Sequence, residues 1–299
     1  MKNPRVLGGI CAIVTLVLAS IAFVLFQQSE RDEAAISDLL LSVQVEQERD
    51  RLDRSAISDL LRQLSKQHEA TPDDRLVHEK ACLELLINRV KDAWETHAGL
   101  ALRLDAAPHD LLLGARILQR LHASTGAHVH VVDAMGFAER CFEQTGSPEA
   151  LFLAWQCADR SGRDEDRSRI GSVLIDDHGD SPQGRFVASI WDESLTAAQL
   201  QRRLQDLQGE FDPMPAELDI ALAHLLLKKG DQQSILEAVD RLDTVLADFP
   251  VSIGARHLRA LAHHHDKEDD RRNYHLKWLM EHAEATDPRR AIWQGLLGK

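Results

Sequence analysis

Aromatic residues make up only 5% of this 299-residue chain, with a single tyrosine, and glycine and proline number 16 and 9. The hydrophobic share of 44% is carried mainly by Leu, Ala, Val and Ile, a composition that favours helix over sheet. Basic charge is also scarce. Lys and Arg number 35 against 48 Asp and Glu, the formal net charge is −13, and no Arg/Lys cluster is interleaved with aromatics. That balance argues against nucleic-acid binding and against non-specific adsorption to an anionic membrane surface, since both need a basic field. The four cysteines, Cys11, Cys82, Cys141 and Cys157, have no metal-like spacing and form no Cys-x-x-Cys pair. In an oxidising compartment Cys141 and Cys157 could bridge neighbouring helices; otherwise buried free thiols, acting as small apolar residues, are expected. The chain also lacks a phosphate-cradling Gly-rich loop and a Gly-x-Ser-x-Gly elbow. His78-Glu79 lacks the second histidine of a zinc-protease helix, and Glu281-His282 lacks the earlier partner of its inverted version. No enzyme, metal or cofactor is expected from these motifs.

One long apolar run is present. Residues 6–26 contain no charged residue, and at about 1.5 Å per residue they would cross a hydrocarbon core of about 30 Å as a helix. Lys2 and Arg5 precede the run, and Glu30, Asp32 and Glu33 follow it. The positive-inside rule then places residues 1–5 in the cytoplasm and the bulk of the chain on the periplasmic or other extracytoplasmic side of an inner membrane. A cleaved signal peptide is the competing reading, with Ser20-Ile21-Ala22 as the cut site, but Phe23-Val24-Leu25-Phe26 carries the apolar run past it.

Residues 27–70 form the next region. From Gln27 to His68 there is neither Gly nor Pro, so one long helix or two abutting ones are expected. Ala35-Ile36-Ser37-Asp38-Leu39-Leu40 recurs as Ala56-Ile57-Ser58-Asp59-Leu60-Leu61, a spacing of whole heptads. The seam Ile36, Val43, Asp50, Ile57 and Leu64 reads either as a coiled-coil stalk forming a homodimer through residues 36–64, or as an amphipathic helix folded onto the body. Asp50 and Asp53 facing the seam would weigh against the stalk, because desolvated carboxylates are costly.

From residue 71 onward the prolines keep a beat. Pro72, Pro108, Pro148, Pro182, Pro213, Pro250 and Pro288 follow at intervals of 31–40 residues, with Pro215 beside Pro213. Proline suits the first position of a helix, and Thr71, Ser147, Ser181, Asp212 and Asp287 stand before five of them as expected caps. Gly146 and Gly179 lie where preceding helices would end. Further breaks fall at Ser124-Thr125-Gly126, Ser161-Gly162, Lys229-Gly230-Asp231 and the acidic stretch 266–270, with a weaker one near Gly99. Thr196 and Gln199 form a capping box. Ile235, Val239, Leu242, Leu246 and Phe249 line one helical face. Two amphipathic helices per repeat, some six times over, define an all-α solenoid.

The unit ending at Pro250 resembles a tetratricopeptide repeat. Leu222, Ala223 and Leu226 occupy the family's first-helix positions, Gly230 the turn, Ala238 the close crossing, and Leu242 and Val245 the second helix. Asp219 stands where the family often has tryptophan, and about three extra residues precede Ala238. The unit from Pro148 shares Leu153, Ala154 and Gly162. The resemblance covers residues 71–299, best over 148–299, and implies an α-solenoid of hairpins behind one transmembrane helix. It also implies a groove lined by first helices that binds a protein or peptide segment. Groove-facing residues would be Trp155, His224, Lys228, Arg256, Arg259 and His263, whose basic bias suits an acidic or carboxylate-ended segment. Single-anchor proteins of this layout resemble assembly factors for cytochrome c maturation and ancillary factors at an export translocon. An envelope hydrolase and a structural stalk are the alternatives. The run His263-His264-His265 is expected to be a solvated helix end rather than a metal site, because consecutive histidines point in different directions. His128 and His130 fall in a segment that reads as helix.

Overall fold

The computed structural model describes residues 28–44, 47, 53–211, 214–283, 287 and 289–297. The apolar run 6–26 and the stub before it lie outside the described residues, among which no helix is long and apolar enough to cross a membrane. Every element in the described residues is helical. The chain divides into two compact units, residues 1–100 and 101–299.

In the first unit, α1 covers residues 28–44, followed by α2 (Arg54–Ala70), α3 (Asp74–Leu86) and α4 (Val90–Ala101), which runs into the boundary. Ile36 and Val43 of α1 and Ile57, Leu60, Leu61 and Leu64 of α2 are buried with Leu76 and Leu83 of α3 in one apolar cluster. The heptad seam is therefore consumed inside the chain. This corrects the stalk reading: a homodimer through residues 36–64 would need side chains that already have partners, and the folded-back amphipathic reading fits instead. Asp53 does not face the seam; it is exposed and caps α2, accepting from the backbone N–H groups of Ser55 and Ala56. Asp50 lies outside the described residues. Arg75 ties α3 to α1 through Glu33 at 3.0 Å. The break in this unit falls at Asn88, whose φ of 63° is left-handed, whereas Gly99 lies within α4.

The second unit continues with α5 (Pro108–Thr125), α6 (His128–Thr145), α7 (Pro148–Arg160), α8 (Asp164–His178), α9 (Pro182–Trp191) and α10 (Ala197–Leu207). After a short 3₁₀ turn come α11 (Ala216–Lys229), α12 (Gln232–Asp248), α13 (Ile253–His265), α14 (Asp269–His282) and α15 (Arg290–Leu297). Successive helices pack as hairpins, and α5 with α7, α7 with α9, and α11 with α13 also pack first helix on first helix. Among these first helices α9, with ten residues, is the shortest.

The proline beat places the starts of α5, α7 and α9, each with proline in its first turn. Ser181 caps α9 as expected, accepting from Gly184 N–H, and the Thr196–Gln199 capping box is formed. Other expected caps shift. Thr71 ends α2 while Asp73 caps α3, Ser147 makes no side-chain cap bond, and Pro250 lies in a turn ahead of the cap Ser252. Asp212, Pro213 and Pro288 lie outside the described residues. The breaks at Gly126, Gly146, Gly162 and Gly230 all carry positive φ, a conformation that costs glycine little because it has no Cβ. Gly179 ends α8 in right-handed geometry instead. Within the fourth hairpin Ala223, Leu226, Ile235, Ala238, Leu242 and Val245 form one core with Ala255 and Leu258 of α13, as the repeat pattern requires.

Candidate functional site

One side of α11 is less covered than the rest. Ala216, Leu218, Asp219, Leu222, Ala223 and Leu225 to Leu227 are buried, which leaves Glu217, Ala221, His224 and Lys228 at i, i+4, i+7 and i+11 on one stripe. His224 and Lys228 are exposed. Neighbouring side chains desolvate the His224 ring, and Lys228 adds repulsion, so its pKa lies below the ordinary histidine value. The stripe thus presents an imidazole biased towards its neutral form beside the Lys228 side chain.

The other expected groove residues are placed elsewhere. Trp155 is 2% exposed, stacked on Phe152 and edge-on to Phe186, and its indole N–H has no hydrogen-bond partner. Arg256 lies over the Trp278 ring of α14 at 4.1 Å and donates to the Pro250 carbonyl. Arg259 pairs with Asp243 of α12 at 2.8 Å. His263 is buried, hydrogen-bonds Glu268 at 2.7 Å and stacks on His275 of α14. All three α13 side chains are therefore engaged with the second-helix layer, because a helix repeat of 3.6 brings 256, 259 and 263 to one side. The triple-histidine run is not a uniformly solvated end: His263 is buried, His264 meets Arg272, and His265 is exposed. His128 and His130 sit in the first turn of α6.

Nearer the middle of the unit, α7 is buried at every position from Ala150 to Ala158. A polar network lies along its inner side. The amide N–H of Gln119 on α5 donates to Gln156 at 3.3 Å, and Gln156 donates to the Glu217 carboxylate at 2.6 Å. Arg160 donates to Glu217 at 3.1 and 2.6 Å. The guanidinium groups of Arg160 and Arg120 lie 4.5 and 4.8 Å from the Phe249 ring centre, close enough for cation–π attraction. Arg120 also pairs with Asp248 at 3.0 Å. One Arg160 nitrogen, Nη1, is buried without a hydrogen-bond partner. Sequence reasoning missed this network because its members lie 37 to 128 residues apart. The only local trace is Gln156 and Arg160 at i, i+4.

Cys141 and Cys157 do not form a disulfide with each other. Burial raises the Cys141 thiol and pushes Cys157 up to about 12, so neither is poised as a thiolate.

No protein-family model and no curated protein sequence matches the chain. Among solved structures, a tetratricopeptide repeat protein from Parabacteroides merdae is similar at 13% identity and a TM-score of 0.52, over 90% of this chain and 98% of that one. The APC/C hetero-tetramer Cut9–Hcn1 is similar at 14% identity and a TM-score of 0.49, over 81% of this chain and 46% of that one. The first of these likenesses shows the fold: a tetratricopeptide-like array of helical hairpins.

Proposed function

We propose that this chain is a protein-interaction scaffold that binds a segment of another protein along the inner stripe of α11, and that residues 6–26 tether it to a membrane from the extracytoplasmic side. The observation that carries the binding reading is the open stripe itself. Most of the rest of α11 is packed, while His224 and Lys228 are exposed. Helical hairpin arrays present such faces because each repeat packs only on its neighbours. Lys228, with no compensating carboxylate on this stripe beyond the engaged Glu217, suits an acidic side chain or chain terminus. The tether rests on the length and charge pattern of residues 6–26.

Site-specific photocrosslinking in the full-length protein tests the surface. A photoreactive residue at position 224 or 228 should yield discrete adducts that one at Leu236, exposed on the second helix α12, does not. Equal labelling at 236, or none at 224 and 228, would refute the assignment. Removal of residues 1–27 should release the protein from the membrane fraction; continued sedimentation with membranes would remove the tether.

A further inference from the structure

The network around Arg160 spans more of the array than packing requires. Nearest-neighbour contacts explain α5 with α7 and α11 with α13, but here Gln119 and Arg120 of the first hairpin and Gln156 and Arg160 of the second reach Glu217, Asp248 and Phe249 of the fourth. The link crosses the short α9. Its buried end is strong: the Arg160 and Glu217 side chains are 18% and 12% exposed, and charge-assisted bonds with partial burial are among the stronger ones. Its outer end is weak, since Arg120 and Asp248 are 32% and 55% exposed and open to screening by salt.

The closed arrangement also leaves one donor of the link, Arg160 Nη1, buried and unsatisfied. An unpaired buried donor forfeits the hydrogen bonds it would make with water or a partner. Parting Arg160 from Glu217 would give this donor access to water or another acceptor. Charged contacts that favour closure are thus set against a buried donor that favours opening, the balance a two-state element needs.

We infer that Arg160, Glu217, Phe249, Arg120 and Asp248 form a latch that opens and closes between the second and fourth hairpins. The inference does not depend on which segment α11 binds.

Pulsed dipolar spectroscopy on the full chain tests the latch. Spin labels attached through genetically encoded keto residues at Val129 of α6 and Leu236 of α12, both exposed, leave the native cysteines in place. The wild type should give a narrow main distance distribution with a minor longer-distance population. Arg160→Glu should raise the longer-distance population about tenfold, the scale of one charged hydrogen-bond set, and the double variant Arg160→Glu with Glu217→Arg should return it towards the wild type. Asp248→Lys, at the exposed end, gives the same direction of change without risk to the core and serves if Arg160→Glu loses helical signal. A wild-type distribution in Asp248→Lys and in a folded Arg160→Glu, or a double variant no closer to wild type than the single one, would overturn the latch.

Discussion

Replacing Gly184 by alanine probes how closely α9 approaches α8. A Cβ at this position would lie 2.2 Å from the His178 carbonyl oxygen and 2.5 Å from that of Leu174, where ordinary contacts begin at 3.4 Å. Both atoms belong to the α8 backbone, so no rotamer change relieves the overlap, and α9 must withdraw by about 1 Å. That movement pulls on Phe186 and Val187, which are 1% and 0% exposed, and on the aromatic contacts of Phe186 with Phe152 and Trp155. Overpacking of this kind costs about 1–3 kcal/mol, whereas alanine returns at most about 1 kcal/mol in helix propensity, and less in a first turn. The expected net loss is about 1–2 kcal/mol, or a fall in Tm of about 2–8 °C for a unit of this size. Gly136→Ala on α6 is the matched control. Nothing lies within 4 Å of its added Cβ, so the propensity term acts alone and the protein should gain up to about 1 kcal/mol. Thermal and urea unfolding followed by circular dichroism would separate the two. A Gly184→Ala protein as stable as the wild type, alongside a stabilised Gly136→Ala, would refute the backbone approach.

Arg241→Ala should destabilise the fourth hairpin by about 3–5 kcal/mol, because it strands the buried Asp219 carboxylate it meets at 2.9 Å. Arg62→Ala, which breaks an exposed pair with Asp59, should fall within about 1 kcal/mol of wild type in the same urea titration. Acid should weaken the C-terminal hairpins before it protonates most carboxylates. Burial chiefly, aided by Arg289 for His257 and by His263, Arg256 and Arg259 for His275, holds both imidazoles at about 4, while Asp287 and Asp243 oppose the shift. The unfolded chain binds those protons below about pH 6.5, so stability is level above pH 7 and falls as pH drops towards about 4. Tryptophan emission during urea unfolding should show the midpoint falling between about pH 7 and pH 4.5, and a flatter slope in His275→Leu; a constant midpoint would be contrary. A cysteine at Val43, which is fully buried, should give monomer bands on oxidation, and efficient cross-linking between chains would restore the stalk.

Local chemistry made much of the fold legible. A proline in the first turn, a serine whose hydroxyl meets a nearby N–H and a glycine with positive φ each act within a few residues, so the starts of α5, α7 and α9 and the turns at Gly126 and Gly230 were readable in sequence. Asn88 was missed although asparagine is among the non-glycine residues that most often take left-handed geometry, because no Gly or Pro stands beside it. Asp219 looked like a departure from the repeat pattern; its reason is Arg241, 22 residues on, which replaces an apolar contact with an ion pair. The heptad stripe of α1 and α2 was legible as a stripe, but periodicity does not say whether its partner is another chain or α3. The same limit applies to the candidate site. Spacing put 224 and 228 on one face of α11, yet the phase of α13 relative to its neighbours, which turns Arg256, Arg259 and His263 towards α12 and α14, is a property of packing.

An array of hairpins is ordinarily a line: each member feels only the two beside it, and either end can fray while the rest persists. The bonds from Arg120 and Arg160 to Asp248, Phe249 and Glu217 join points on that line that are not neighbours, and a line joined to itself becomes a circuit. Within such a circuit the third hairpin, the one with the shortest first helix, cannot melt alone without opening the closure around it. Its loss and the separation of the hairpins on either side become one event. Cooperativity that a linear stack would confine to adjacent repeats is thereby shared by all four hairpins from α5 to α12.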